Sequence, residues 1–106
     1  MTQIELLQRI KERLQSLYGQ RFRGLVLYGS IARGNADNES DIDLLCLLDG
    51  PVDVSDEICN IIDNTADIKS DQGINYRPIH IFPVDIREYE KDFPLYIEAK
   101  SEGVPV

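Results

Sequence analysis

The chain has 106 residues, 42% hydrophobic and 28% charged, with a net charge of −8, the profile of one small globular domain. That acidic excess argues against non-specific binding to nucleic acid or to an anionic membrane, because phosphate polyanions are repelled. It leaves room for a nucleotide whose charge is carried by bound metal ions.

No signal peptide, lipidation motif or apolar run of about 18 residues is present. The expectation is a single cytoplasmic domain over residues 1–106. Cys46 and Cys59 fall inside predicted elements and read as small buried hydrophobes rather than as a disulfide.

Residues 4–18 are predicted to be a helix. Ile4, Leu7, Ile10, Leu14, Leu17 and Tyr18 share one face at three- and four-residue steps, with Thr2 as N-cap and Gly19 as stop. Gly24 to Tyr28 is a short apolar run, a buried strand ended by Gly29-Ser30. A helical turn through Ile31, Ala32 and Arg33 and a polar loop over 35–40 follow. Asp41 to Leu48 is the second strand, closed by Asp49-Gly50-Pro51.

Residues 53–66 are predicted as a second helix, capped by Asp53 or Ser55. Val54, Ile58, Ile61, Ile62 and Ala66 form its apolar face. Residues 68–75 read as a loop. Residues 76–84 form a third strand, at an edge or paired only between its two prolines, Pro78 and Pro83. Asp85 to Phe93 reads as helical, a further short helix starts at Pro94 and runs to about Lys100, and 102–106 is a tail or last short strand. Tyr89, Phe93, Tyr96 and Ile97 read as core packing rather than a partner patch. Asp63, Asp67, Asp71 and Asp85 read as solvated acidic surface. The order implies an α/β (α+β) domain, a small mixed sheet with flanking helices.

Two features carry chemistry. Glycine at the end of a buried strand lets the chain turn sharply and lets a ligand approach. If a helix starts at Ser30, its free N–H groups favour an anion, the hydroxyl adds a donor, and Arg33 lies one turn on. Alone, Gly29-Ser30 reads as a tight strand-to-helix turn with a serine cap. The second feature is Asp41 and Asp43. Residues two apart in a strand face one side, so both carboxylates project together, with Ile42 and Leu44 opposite. Like charges so close repel and raise each other's pKa; a divalent cation between them relieves this. Hard oxygen donors suit Mg²⁺, which takes one or two carboxylates plus phosphate and water oxygens. Alone, the pair is equally the polar start of a strand in an acidic chain. Together the two features describe a nucleoside triphosphate site in which metal neutralises phosphate charge.

Gly29-Ser30, ten residues, then Asp41-x-Asp43, with Ala32-Arg33-Gly34 between and Ser40 before the first aspartate, resembles the nucleotidyltransferase superfamily related to DNA polymerase β. In size it resembles the minimal nucleotidyltransferases. The resemblance is sharpest over 24–48 and looser over the rest of the chain. It implies that Gly29 and Ser30 bind the triphosphate, where the residue reading already lets Arg33 reach the same anion, and that Asp41 and Asp43 hold Mg²⁺. The implied reaction moves a nucleoside monophosphate, AMP if ATP is the donor, onto a hydroxyl and releases pyrophosphate.

The family's third-strand carboxylate has no counterpart. The matching place falls on His80, the single histidine, which alternation points to the same side as Asp41 and Asp43. Three readings stay open: a general base or borderline metal ligand, the mark of a degenerate site, or a shifted register in which Asp85 or another acid serves. Asp85 has the wrong parity and reads as a helix cap.

The chain has no room for the acceptor-binding domain of larger members. The acceptor is then a protein surface, or a partner completes the site. Resembling proteins commonly pair with a small helical HEPN protein, and some act as antitoxins by transferring AMP to a tyrosine of that toxin. The competing expectation is a weakened or inactive nucleotide-binding, toxin-neutralising subunit. An RNA acceptor and self-association stay open.

Overall fold

The computed structural model describes residues 2–29, 41–73, 76–91 and 94–106. Ser30, Arg33, the turn over 31–33, the loop over 35–40 and Phe93 lie outside the described residues.

The first helix, α1 (Gln3–Tyr18), opens on Thr2, whose hydroxyl accepts from the Glu5 N–H, and closes at Gly19, where φ is +58°. Its buried stripe is Leu6, Leu7, Ile10 and Leu14. Ile4, expected inside, is 75% exposed, and Leu6 takes its place in the buried stripe. One 3₁₀ turn (Gly19–Arg21) leads into β1 (Phe22–Tyr28). Next come β2 (Ile42–Leu48), α2 (Val54–Ser70), β3 (Ile79–Asp85), α3 (Ile86–Tyr89), α4 (Pro94–Glu102) and the two-residue β4 (Val104–Pro105).

The strands form one mixed sheet in the order β3-β2-β1-β4. β1 pairs antiparallel with β2 and β4, whereas β2 and β3 run parallel. A parallel pair needs a long crossover, and α2 supplies it. The sheet has helices on both faces. Against α1 and α2 lie Leu25, Leu27, Ile42, Leu44, Cys46, Leu48, Ile79 and Ile81. Towards the other face point Val26, Leu45, Leu47 and Val84, packed with Ala99 of α4 and the half-buried Tyr28, Ile86, Tyr89 and Tyr96. β2 is central and covered on both sides, so after Asp43 it is an unbroken apolar run.

β3 is the edge strand its prolines demand. The Ile42 N–H donates to the Pro78 carbonyl at 2.8 Å. By strand alternation, residues of even number then turn their peptide groups to β2, and Pro83, which has no N–H, turns to the open side. Pro83 therefore removes no ladder bond and leaves the exposed edge less able to pair with another strand. The link into β3 is held by Gln72, 8% exposed. Its amide donates to the Lys69 and Arg77 carbonyls and accepts from the Arg77 N–H.

α2 departs from expectation in two ways. It runs through 67–70 to Ser70, and its buried face is Glu57, Ile61, Thr65 and Ile68. Val54 and Ile62 are 42% and 50% exposed, and Ala66 and Cys59 are exposed too. Of the expected stripe Ile61 is buried and Ile58 half-buried, while Val54, Ile62 and Ala66 turn to the outer flank and satisfied polar groups take the inner one. The Thr65 hydroxyl donates to the Ile61 carbonyl. Glu57 accepts from the Tyr18 hydroxyl, the Arg21 guanidinium and the Asn60 amide, each within 3.3 Å.

Tyr89 and Tyr96 pack as core, with ring centroids 5.8 Å apart; Ile97 is exposed. Asp67 and Asp71 lie on the surface, paired with Arg13 and Arg9 of α1. No described helix is long and apolar enough to cross a membrane.

Candidate active site

The antiparallel and parallel pairings bring three strand ends together: the C-terminal end of β1 and the N-terminal ends of β2 and β3. Asp43 lies opposite Tyr28 on one side and beside His80 on the other. The expected parity of β3 holds. Ile79 and Ile81 are 7% and 8% exposed in the core, while the His80 side chain between them is 60% exposed. Asp41, directly before β2, turns to the same side: His80 Nε2 and Asp41 Oδ2 are 3.1 Å apart. Asp41, Asp43 and His80 thus share one face of the sheet, beyond the cover of α3 and α4.

Asp43 is the less solvated of the two carboxylates. Partial burial pushes its pKa above the usual carboxylate range; the neighbouring imidazole of His80 works against that, and the negative charge of Asp41 adds to it. The like-charge conflict expected from the Asp-x-Asp spacing is present, although burial is its larger source. Tyr28, a residue sequence reasoning did not single out, forms the inner wall. Its phenol is pushed up by burial and by the charge of Asp43. The signal was its place directly before Gly29 in the apolar run.

Gly29 follows β1 with φ at +81°, a conformation that side chains with a Cβ rarely adopt. A Cβ there would also stand 3.0 Å from Asp43 Oδ2. Glycine therefore does two things at this point: it turns the chain towards residue 30, and it leaves the space in which the Asp43 carboxylate lies. Ser30 and Arg33, the other expected anion-binding residues, lie outside the described residues.

Asp85 is not part of this cluster. It lies five residues along β3 from His80, roughly 16 Å for an extended strand, beside Leu48. Its carboxylate caps α3 by accepting the Arg87 N–H, and its ion pair with the Arg87 guanidinium at 2.8 Å holds it below the usual range. An open groove of about 630 Å³ between Arg21, Val52 and Asn60 also lies away from the cluster, by the far end of β2.

Asp41 and Asp43 are hard oxygen donors on one exposed face, which suits a divalent cation. Among the described residues no group of three or more His, Cys, Asp or Glu side chains is placed to hold a metal ion.

No curated protein matches the sequence. Among solved structures, a candidate nucleotidyltransferase from Sulfolobus solfataricus is similar over 97% of this chain and 80% of its own length, with 21% identity and a TM-score of 0.58. At that identity the likeness speaks for the fold, the same mixed sheet flanked by helices. The family model of the nucleotidyltransferase domain matches residues 7–104, nearly the whole chain, and the chain belongs to that family.

Proposed function

We propose that this chain transfers a nucleoside monophosphate, with ATP as donor and AMP as the group moved, to a hydroxyl on a partner protein. The observation that carries the reading is the convergence of Gly29, Asp41 and Asp43 at one end of the sheet in a chain of the nucleotidyltransferase family. The acceptor oxygen attacks the α-phosphorus, the bond from that phosphorus to the bridging oxygen breaks, and pyrophosphate leaves. Gly29 and Ser30 bind the triphosphate, with Arg33 on the same anion. Asp41 and Asp43 hold Mg²⁺, which when bound neutralises phosphate charge. Asp41, with its side chain 52% exposed, is placed to take the proton of the hydroxyl. Tyr28 and Gly29 fix where the Asp43 carboxylate lies.

A macromolecular acceptor fits a site on an open face rather than at the bottom of a cleft, and the net charge of −8 disfavours a nucleic acid in that role. The partner we propose is a small helical HEPN-type toxin, modified on a tyrosine, with this chain as its antitoxin. Incubating the two proteins with labelled ATP, CTP, GTP or UTP and Mg²⁺ tests the reading. Label should pass to the partner from ATP, and absence of label from all four with a folded partner would refute transfer.

A second reading rests on His80 standing where relatives of this type carry an acid. In it the chain neutralises its partner by binding alone. Asp41→Ala separates the two: neutralisation survives in the binding reading and is lost in the enzymatic one.

A further inference from the structure

β3 turns three side chains, His80, Phe82 and Val84, to the face of the sheet that carries Asp43. Val84 is 2% exposed and belongs to the cluster formed with Ala99, Ile86 and Tyr89. Tyr28, Tyr89 and Tyr96 are all drawn into that cluster. Phe82 is not: it lies beside the buried Leu45 and is 40% exposed. Two residues along the strand, roughly 7 Å, it meets His80. The Phe82 ring thus stands at the open margin between the covered core and the group of Asp41, Asp43 and His80.

In the transferase reading the triphosphate lies at Gly29, at the end of β1, and the α-phosphorus lies over Asp41 and Asp43 at the start of β2. In-line displacement sets the attacking and leaving oxygens on opposite sides of the phosphorus. Pyrophosphate leaves on the β1 side, so the acceptor hydroxyl arrives from β3, the strand on the other side of β2. None of the three side chains that β3 turns there is a lysine or arginine, the usual partners of a nucleic acid's phosphates. What β3 offers is one aromatic ring. We propose that Phe82 is the residue that selects the acceptor: its ring is the platform for a tyrosine side chain of the partner, in preference to serine. Aromatic pairs hold one another in offset or edge-on contact. A tyrosine carries its hydroxyl at the far end of a flat ring, so it lies on Phe82 and presents the oxygen towards Asp41. A serine hydroxyl sits beside its own backbone and makes no use of the ring. The phenol oxygen attacks the α-phosphorus, its proton passes to Asp41, and pyrophosphate leaves. The proposal deepens the transferase reading and rests on it.

The chain has three phenylalanines, so the whole chain grown with 4-fluorophenylalanine gives three fluorine resonances, and Phe82→Leu identifies one of them. N-acetyltyrosinamide and N-acetylserinamide are titrated in, with α,β-methylene-ATP and Mg²⁺ present. The expected result is a Phe82 resonance that moves with the tyrosine amide and stays in place with the serine amide. In transfer from labelled ATP to the same two amides, Phe82→Ala should raise KM for the tyrosine amide about two- to tenfold, the worth of one aromatic pair, with kcat and the KM for ATP unchanged. Phe82→Tyr should restore it. Thermal unfolding of the variants confirms that they fold. A Phe82 resonance unmoved by the tyrosine amide, moved equally by the serine amide, or moved by the nucleotide alone would overturn the inference and leave the transferase reading standing. Label on neither amide nor the partner protein would overturn the transferase reading, and the inference with it.

Discussion

Replacing Gly29 by alanine probes the centre of the site without removing any functional group. The residue sits at φ +81°. Forcing a side chain with a Cβ into that region costs about 1–2 kcal/mol. The new Cβ would also lie 3.0 Å from Asp43 Oδ2, so the carboxylate must move by a few tenths of an ångström. For a domain near 100 residues each kcal/mol lowers Tm by roughly 4–8 °C, and the expected fall is about 5–15 °C. Misplacing a reacting group by about 1 Å costs about a hundredfold in rate; a shift of a few tenths should cost about tenfold in kcat with label transfer as the assay. Calorimetry of Gly29→Ala, Asp43→Ala and the double variant separates the two effects. In the Asp43→Ala background the contact is gone but the backbone strain remains, so the loss should shrink without vanishing. A Gly29→Ala protein with Tm within about 1 °C of wild type and unchanged turnover would refute both the strain and the contact.

Three further outcomes follow from the same geometry. Asp43 binds its proton more tightly folded than unfolded, so its stabilising contribution is fully present below the unfolded value near 3.8 and is lost as pH rises through the raised folded value. Asp43→Asn should therefore abolish transfer yet raise stability at pH 7, by no more than about 1 kcal/mol because the group is part-solvated, and the gain should disappear near pH 3 in urea melts. Arg21→Ala removes one of the donors to the buried Glu57 and should destabilise the chain by about 1–3 kcal/mol; adding Glu57→Leu should recover much of that loss. Burial pushes the Cys46 thiol up to about 12 while Cys59 is exposed, so a thiol reagent at pH 8 should modify one cysteine per native chain and two per unfolded chain.

Local rules carried far along this sequence. Thr2 and Gly19 bracket α1 because a cap needs only its own first turn. Pro78 and Pro83 identify an edge strand because a missing N–H is intolerable in the middle of a sheet. The parity of His80 followed from the period of a strand alone. What failed was choosing between two faces of α2. Val54, Ile58, Ile62 and Ala66 repeat every four residues, a regular apolar stripe; of the five residues expected inside only Ile61, outside that repeat, is fully buried. The decision was made by Arg21 and Tyr18, which reach Glu57 from 36 and 39 residues away and make its burial tolerable. The same misreading put Cys59 in the core. At the site, the spacing of the two aspartates showed their shared face but not that Asp43 lies against Gly29. That contact comes from the β1–β2 register, which the pairing of the folded strands fixes.

An imidazole at position 80, where the family resemblance implies a third acid, has a consequence for how the proposed site is loaded. A carboxylate at position 80 would place a third negative charge beside Asp41 and Asp43 in a chain already at −8, and the repulsion that lifts Asp43 would grow. An imidazole there adds no third carboxylate and instead meets Asp41 Oδ2 at 3.1 Å. If Asp41 and Asp43 hold Mg²⁺ as proposed, the exchange lowers the negative charge available to it before substrate arrives. For Mg²⁺ the missing ligands must then come from the triphosphate, so nucleotide and Mg²⁺ binding reinforce each other, and each should tighten the other by the same factor. A site charged by three acids would bind Mg²⁺ more strongly on its own and couple less. On the proposed reading, the single histidine thus makes Mg²⁺ occupancy depend on nucleotide.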